Sequence, residues 1–332
     1  MQETRFPKSF LWGTATSSYQ VEGCIENNDW HEWETSKERV DFLKSGGKNP
    51  ESYINDKACN SYNLYEKDFD LAKKLGSSAY RFSIEWARIE PQKGKFNEKE
   101  IEHYKKVIKA LRRRKLEPFL TCYHFTLPAW LSREGGWLNP KALDYFERYV
   151  RKLSESFHDV TFWITINEPM VLAYKSYLQG QWPPQESSIP KALKVVKNLV
   201  EAHKRAYKII HEHSAREAGI SHSMIDFQGL LWIYDYIYNF YFLDRINDYQ
   251  DFIGLNYYAR KRIPKTKKIE RSDMGWAIWP KGIYHSLKRL ARYGKPIYIT
   301  ENGIADYTDR KRGRYIIEHL KNVHKALKEK VD

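Results

Sequence analysis

The chain has 332 residues, of which 42% are apolar and 30% are charged. This composition is ordinary for a globular protein and excludes a disordered one. The formal net charge of +14 can indicate nucleic acid or an acidic surface as partner. However, the densest basic groups, at 112–115 and 265–268, are short and lack the interleaved aromatic residues of a stacking platform. A solvated basic surface is therefore favoured, and no nucleic-acid partner is predicted.

Cysteine usage and apolar patterning bear on the compartment and on cofactors. The three cysteines are far apart, so they fit neither a disulfide framework nor a metal site and favour a reducing compartment. The sequence shows no signal-peptide pattern at its start and no apolar stretch long enough to cross a bilayer. The most apolar run, 230–243, carries Asp235 and Asn239 and predicts a buried helix. We expect a cytoplasmic protein with no membrane partner, no metal and no cofactor.

Short apolar runs alternate with longer amphipathic segments along the sequence. The runs predicted to be strands are 10–16, 79–86, 117–125, 162–168, 220–226, 252–258 and 296–301. The segments predicted to be helices are 60–75, 99–114, 140–157, 190–213, 283–293 and 312–329. This alternation is typical of repeated βα units around a parallel sheet. Because no composition break divides the units, residues 1–332 are interpreted as one α/β domain.

Polar side chains collect where the predicted strands end. They are Arg81, Glu85, His124, Asn167, Glu168, Asn256, Tyr258 and Glu301. Catalytic groups at the carboxyl ends of several strands are typical of a (β/α) barrel enzyme. A buried strand has no structural need for carboxylates there, because burying an unpaired charge costs free energy. One of them could belong to a structural ion pair, but two strand-end glutamates, each beside an asparagine, favour a catalytic pair.

Glu168 and Glu301 have the residue type that glycoside hydrolysis requires. One carboxyl group must be protonated to assist the departing oxygen, and the other must be ionised to attack. The ends of the fourth and seventh strands would open onto the same mouth of a barrel. A separation of about 5 Å would give retention of configuration, and a wider gap that holds a water would give inversion. The residues alone leave both outcomes open.

Seven short motifs stand in order along nearly the whole chain. They are FPKSFLWGTATSSYQVEG at 6–23, YRFSIEWARIEP at 80–91, CYHFTLPAWL at 122–131, TINEP at 165–169, DFIGLNYY at 251–258, MGW at 274–276 and ITENG at 299–303. Together they resemble the signatures of glycoside hydrolase family 1, the β-glucosidase and β-galactosidase family. The resemblance implies a (β/α)8 TIM-barrel fold. It also implies a retaining exo-β-glycosidase that hydrolyses β-D-glucosides or β-D-galactosides through a glycosyl-enzyme intermediate, without a cofactor.

The resemblance also implies roles for individual residues. Glu168 in TINEP would be the acid/base, with a pKa raised by the ionised nucleophile nearby, and Glu301 in ITENG would be that nucleophile. Arg81 and Tyr258 resemble the partners that keep the nucleophile ionised and aimed. Asn167 would bond the sugar 2-hydroxyl, where contacts strengthen in the transition state. The implied substrate-binding residues are Gln20, His124, Asn167, Asn256 and Trp276.

Taken alone, each of these residues has a structural interpretation. Arg81 could pair with Glu85 or with a helix terminus. His124 could be a core histidine, and Tyr258 and Trp276 could be packing residues. Only their joint fit to the family's order favours the functional interpretation.

The largest departure from the family pattern is at the C-terminal end. Residues 305–330 predict a seventh helix, and no segment resembles the WSLxDNFEW motif of the family's eighth βα unit. In the family that this chain resembles, that unit supplies much of the grip on the outer hydroxyls of the bound sugar, so we expect glycone affinity and specificity to be affected. We expect a barrel that is incomplete or closed in another way, with open strand edges that allow self-association.

Three functions therefore compete. The leading one is a retaining exo-β-glycosidase that acts on a small-molecule β-glycoside. The alternative is a non-catalytic or weakly active sugar-binding barrel, which the missing eighth unit motivates. The presence of Glu168, Glu301, Arg81 and Tyr258 argues against it, because a pure binder needs no matched acid and nucleophile. Nucleic-acid binding through the +14 charge ranks last.

Overall fold

The structure is a computed structural model that describes residues 5–212, 216–264 and 268–332. These residues divide into two compact units. The N-terminal unit is Leu11–Ala218, and the C-terminal unit combines 5–10 with Gly219–Asp332. The interpretation of 1–332 as a single domain stays a prediction.

Four parallel strands form the sheet of the N-terminal unit. They are β1 (Gly13–Ala15), β2 (Ala79–Ser83), β3 (Glu117–Tyr123) and β4 (Phe162–Asn167), side by side in that order. Every residue of β2 is buried, as expected for a parallel sheet that is covered on both faces. Arg81 is a central member of β2 and pairs with Ala15 on one side and Phe119 on the other.

Helices alternate with these strands. They are α1 (Ser18–Val21), α2 (Asp29–Glu34), α3 (Lys37–Ser45), α4 (Ser61–Lys74), α5 (Trp86–Ile89), α6 (Glu98–Arg113), α7 (Ala129–Arg133), α8 (Ala142–Ser156), α9 (Pro169–Leu172) and α10 (Ile189–Ile210). Shorter turns are the 3-10 helices Pro50–Tyr53 and Gly136–Leu138 and the π-helix Ala173–Leu178. In α8, Phe146, Val150 and Leu153 recur at helical spacing and are fully buried, which explains how an amphipathic sequence forms a helix on the sheet.

The C-terminal unit continues the alternation of strands and helices. Its strands are β5 (Glu217–Gly229, from residue 219 onward), β6 (Phe252–Ile263) and β7 (Ile297–Glu301), and β6 pairs in parallel with the other two. Its helices are α11 (Asp235–Asn239), α12 (Tyr241–Ile246), α13 (Lys281–Leu290) and α14 (Arg312–Lys328), with 3-10 turns at Leu230–Tyr234, Asn247–Tyr249 and Ala291–Tyr293.

All seven predicted strands are present, and six helices lie where the long amphipathic segments predicted them. The predicted end of the helix at 190–213 lies outside the described residues. β5 and β6 run further than predicted, because residues 226–229 pair with residues 260–263 beyond a register shift. No helix among the described residues is long and apolar enough to span a membrane.

The apolar run at 230–243 was predicted to be a buried helix, and this prediction was wrong. The run folds as a 3-10 turn followed by α11 and α12, which are separated at Phe240. Its first half exposes large side chains, among them Leu230 and Trp232. The physical reason is that the polar residue Asn239 is fully buried, so the apolar side chains of the first half point away from the interior, whereas Phe242 and Leu243 in the second half are buried.

Candidate active site

Side chains on, or directly after, three neighbouring strands form a chain of hydrogen bonds in the N-terminal unit. Arg81 in β2 is buried, and its Nη2 donates to Oδ1 of Asn167 at 2.6 Å, while its Nε donates to Oγ1 of Thr121 at 3.1 Å. Asn167 ends β4, and its Nδ2 lies 3.2 Å from Nε2 of His124, which follows β3. The structure therefore brings together three of the residues that the sequence predicted for the site.

Glu168 follows β4 and caps the N-terminus of α9 in an unusual backbone conformation. Its φ of 44° and ψ of 58° lie in the left-handed region, which side chains other than glycine rarely adopt. Strain of this kind costs on the order of 1–3 kcal/mol and concentrates at functional sites. The side chain of Glu168 is largely buried. Local sequence preferences alone would therefore not give Glu168 this backbone conformation.

Gln20 lies on the short helix α1 and is exposed. The hydroxyl of Ser17 donates to its Oε1 at 2.6 Å. The neighbouring Ser18 donates its N–H to Oγ of Ser83 at 2.7 Å and its own hydroxyl to Oε2 of Glu85 at 3.0 Å. These bonds attach the turn that contains Gln20 to the end of β2.

Glu85 is a member of the site region whose role the sequence did not reveal. Its carboxylate is fully buried and accepts hydrogen bonds from Ser18 at 3.0 Å and from Thr126 at 3.0 and 3.1 Å. Burial raises the pKa of Glu85 above its usual value. Because Thr126 lies two residues after His124, Glu85 ties the loop of His124 to the turn of Gln20.

A second cluster forms in the C-terminal unit around Glu301, the last residue of β7. The hydroxyl of Tyr258, in β6, donates to Oε2 of Glu301 at 2.6 Å. The ring of Trp276 lies 5.5 Å from the ring of Tyr258 and is partly exposed. Next to Glu301, Nδ2 of Asn302 donates to the backbone carbonyl of Tyr257 at 2.6 Å, which fixes the turn after the strand.

Asn256 lies beside this cluster but is fully buried. Its Oδ1 accepts hydrogen bonds from Ser221 at 2.9 Å and from Thr300 at 2.8 Å. These bonds join β5, β6 and β7 directly behind Glu301, so Asn256 supports the strand end that carries this carboxylate. Its predicted contact with substrate stays a prediction.

Comparison with known proteins places this geometry in a family. The model of glycosyl hydrolase family 1 matches residues 2–228 and 239–332. A 1,4-beta-D-glucan glucohydrolase of Thermotoga neapolitana is 32% identical in an alignment that covers 98% of this chain and 91% of that protein. The structure of a beta-glycosidase from Pyrococcus horikoshii has a TM-score of 0.88 at 38% identity, covering 99% of this chain and 84% of the other.

A beta-glucosidase from Thermotoga maritima, solved in complex with galacto-hydroximolactam, has a TM-score of 0.90 at 32% identity. That match covers 99% of this chain and 87% of the other. The similarity confirms the predicted fold class, an α/β fold of the TIM-barrel type. Among the described residues, seven βα units are recognisable and an eighth is not.

Proposed function

This chain belongs to glycosyl hydrolase family 1 and is accordingly a glycosidase, and on that premise we propose that it hydrolyses terminal β-D-glucosides or β-D-galactosides with retention of configuration. The observation that carries the proposal is the 2.6 Å hydrogen bond from Tyr258 to the carboxylate of Glu301. A phenol that donates to a carboxylate stabilises the ionised form and fixes its orientation. Both properties are those that a nucleophile needs.

In the first step, Glu301 attacks the anomeric carbon and forms a glycosyl ester, while the bond from that carbon to the leaving oxygen breaks. Glu168 gives its proton to this oxygen, so the aglycone departs as a neutral alcohol. In the second step, Glu168 takes a proton from water, and the resulting hydroxide displaces Glu301 from the sugar. Two inversions at the same carbon give net retention, which requires carboxyl groups about 5 Å apart.

The hydrogen-bonded chain in the N-terminal unit suits recognition of sugar hydroxyls. Arg81 holds Oδ1 of Asn167 at 2.6 Å, and the Nδ2 of Asn167 lies 3.2 Å from His124. Side chains fixed in this way lose little conformational entropy when a hydroxyl binds to them. We assign Asn167 to the 2-hydroxyl, and His124 and Gln20 to other hydroxyls of the same ring.

The cysteines support the cytoplasm as the proposed compartment. Cys24 and Cys59 are exposed free thiols, and Cys122 is a buried one. Exposed thiols without disulfide partners are typical of proteins that work in a reducing environment.

Hydrolysis of 4-nitrophenyl β-glucoside and β-galactoside by the purified chain tests the proposal. Glu301→Ala and Glu168→Gln should each lower kcat/KM by on the order of a thousandfold or more, because each removes one half of the catalytic pair. Glu318→Gln, at a surface ion pair on α14, is the control and should be unaffected. A wild-type-like rate in Glu301→Ala without an added nucleophile refutes the mechanism.

The hydrogen-bonded chain of Arg81, Asn167 and His124 would equally serve a second candidate, a sugar-binding barrel without turnover. This candidate predicts that a folded chain binds glucose or galactose, turns over neither aryl glycoside, and keeps its sugar affinity in Glu168→Gln. Calorimetric titration of the wild-type chain and of Glu168→Gln with each sugar separates the two functions.

A further inference from the structure

One short segment of the C-terminal unit exposes a group of large apolar side chains, which we call the apolar face. It consists of Leu230, Trp232, Ile233, Tyr234, Tyr236 and Ile237, each between 50% and 71% exposed. Single exposed apolar residues are common on globular proteins, but a concentrated group of them marks an interaction site.

The polar residues of the segment hold the apolar face in this orientation. Asp235 forms an ion pair with Arg289, whose Nη1 lies 2.9 Å from Oδ1, and it accepts a hydrogen bond from Asn239 at 2.7 Å. Asn239 is fully buried and bonds the backbone N–H and carbonyl of Ile225 at 3.0 and 2.9 Å. Polar groups facing inward and apolar groups facing outward reverse the usual arrangement of an amphipathic segment. Specific contacts therefore display the apolar face.

The apolar face is also absent from the family pattern. Residues 2–228 and 239–332 match the family model, whereas residues 229–238 lie between the two matched ranges. Residues 229–238 thus lie outside the sequence that family members share for hydrolysis. A role other than catalysis is the simplest reason for its composition.

Positive charge lies directly beside the apolar face. Gly229, which precedes the face, pairs in register with Ile263 at the end of β6. Lys261 and Arg262 are exposed on the same strand end, and Ile263 adds a further apolar side chain that is 45% exposed. Residues 260–264, at this strand end, contain three basic residues and no acidic one.

This combination fits the surface of an anionic lipid bilayer. Tryptophan, tyrosine and aliphatic side chains insert at the boundary between headgroups and acyl chains, while lysine and arginine are attracted to lipid phosphates. A second copy of this chain fits less well, because two molecules with a net charge of +14 repel each other. The acid in the segment, Asp235, faces Arg289 and does not offset the attraction.

We propose that the apolar face, together with Lys261 and Arg262, docks this protein on anionic lipid bilayers as a peripheral contact. The absence of a spanning helix among the described residues does not oppose such a contact, because a segment that lies in the interface needs no spanning length. The expectation of no membrane partner rested on the lack of a signal-peptide pattern and of a spanning stretch, and neither bears on a peripheral contact. Docking is independent of the hydrolytic mechanism, so either proposal stands if the other fails.

Co-sedimentation of the full chain with lipid vesicles tests the proposal. The wild-type protein should sediment with vesicles of phosphatidylglycerol and phosphatidylcholine in equal parts, and far less with phosphatidylcholine alone. The double variant Trp232→Ser with Ile233→Ser should lower the partition coefficient by ~10-fold or more, because it removes two inserted apolar side chains. Arg262→Glu should lower binding to the anionic vesicles and reduce its dependence on salt.

The matched control removes the same kind of surface elsewhere. Leu71→Ser with Leu75→Ser changes one side chain of α4 and one directly after it, which are 58% and 80% exposed, and it should bind vesicles like the wild type. The Trp232 and Ile233 variant should unfold in urea at the wild-type midpoint, which shows that it is folded whether or not the chain hydrolyses glycosides. Wild-type protein that stays in the supernatant with both vesicle types overturns the proposal, as does an equal loss of binding in the control. A wild-type dimer that this variant dissociates, without vesicle binding, assigns the face to a second copy instead.

Discussion

In the N-terminal unit the side chains that demand an explanation are carboxylates in the interior, whereas in the C-terminal unit they are apolar groups on the surface. Glu22, Asp29 and Glu85 are each at most 8% exposed, and burial of charge is costly unless hydrogen bonds compensate. Exposed apolar side chains forgo the free energy that burial would release. Neither arrangement is the one that stability alone favours, so we infer that each serves function.

Two of these buried carboxylates, Glu22 and Glu85, belong to one network. Glu22 accepts hydrogen bonds from Nε of Arg88 at 2.9 Å and from the hydroxyl of Tyr104 at 2.8 Å. The same hydroxyl accepts the backbone N–H of Glu85 at 3.1 Å. Since Glu85 bonds the loops next to Gln20 and His124, the network connects the interior to the residues assigned to sugar binding. In the C-terminal unit, by contrast, the exceptional residues are those of the apolar face, which we propose docks on anionic lipid bilayers.

The largest effect that we expect from the buried carboxylates of the N-terminal unit is a pH dependence of the free energy of unfolding. Burial raises the pKa of Glu22 from 4.5 to about 7, although Arg88 opposes the shift. Between these values the native state keeps a proton that the unfolded chain releases, so the free energy of unfolding falls as the pH rises through this window. A shift of this size corresponds to about 3 kcal/mol. Urea denaturation across the window should show the fall, and Glu22→Gln should flatten it.

Glu102→Gln, at an exposed ion pair on α6, is the control for that experiment and should keep the wild-type slope. The same slope in Glu22→Gln as in the wild type would mean that Glu22 is not the group that holds the proton.

The next effect separates positioning from stability at Glu85. Glu85→Gln replaces a carboxylate that accepts from Ser18 and Thr126, so we expect a loss of about 1–3 kcal/mol in the free energy of unfolding. Because both bonded segments lead to residues assigned to the sugar, KM for aryl glucoside should also rise several-fold while kcat changes little. Steady-state kinetics and urea denaturation of the same preparation measure the two effects.

Glu90→Gln is the matched control, because Glu90 is equally buried and accepts from Trp86 at 3.0 Å and from the N–H of Gly94 at 2.7 Å. It should lower stability and leave KM unchanged. A rise in KM of the same size in both variants would show that Glu85 acts only through general stability.

The site of the C-terminal unit should respond to the loss of a single hydroxyl. Tyr258→Phe removes the 2.6 Å hydrogen bond to Glu301, and we expect kcat to fall by about tenfold to a hundredfold. Tyr257→Phe removes a hydroxyl that donates to the backbone carbonyl of Trp279 at 2.8 Å, and its kcat should stay near that of the wild type. Similar losses in both variants would contradict the role assigned to Tyr258.

The smallest effect concerns the stability contribution of the apolar face. Ile233 is 61% exposed, so Ile233→Ser should change the free energy of unfolding by less than about 0.5 kcal/mol. Leu153, fully buried on α8, should lose about 2–5 kcal/mol as Leu153→Ala. Urea denaturation compares the two, and a large loss in Ile233→Ser would mean that the face packs within the fold.

Much of the fold could be predicted because parallel strands are short apolar runs between amphipathic helices. The extensions of β5 and β6 escaped prediction, since Arg260, Lys261 and Arg262 do not have the pattern of a buried strand. The outward direction of the first half of the apolar run at 230–243 also escaped prediction, because hydrophobicity states how apolar a segment is and not which side of it meets the interior. Asp235 and Asn239 decide that direction through contacts that are distant in sequence.

The residues of the candidate site could be predicted where they lie within a recognised sequence motif. The partnership of Tyr258 with Glu301 followed from the resemblance, since no local pattern relates residues in β6 and β7. The role of Glu85 did not follow, because its partners come from α1 and from the loop after β3. The strained backbone of Glu168 gives no local signal, since the surrounding fold imposes it.

Covalent trapping tests most directly the central claim that Glu301 is the nucleophile. The chain is incubated with 2-deoxy-2-fluoro-β-D-glucosyl fluoride, digested, and its peptides are analysed by mass spectrometry. We expect one fluoroglucosyl group on the peptide that contains Glu301, with loss of aryl glucosidase activity and no label in Glu301→Ala. A label on another carboxylate, turnover without any label, or a folded chain that is neither active nor labelled would contradict the account.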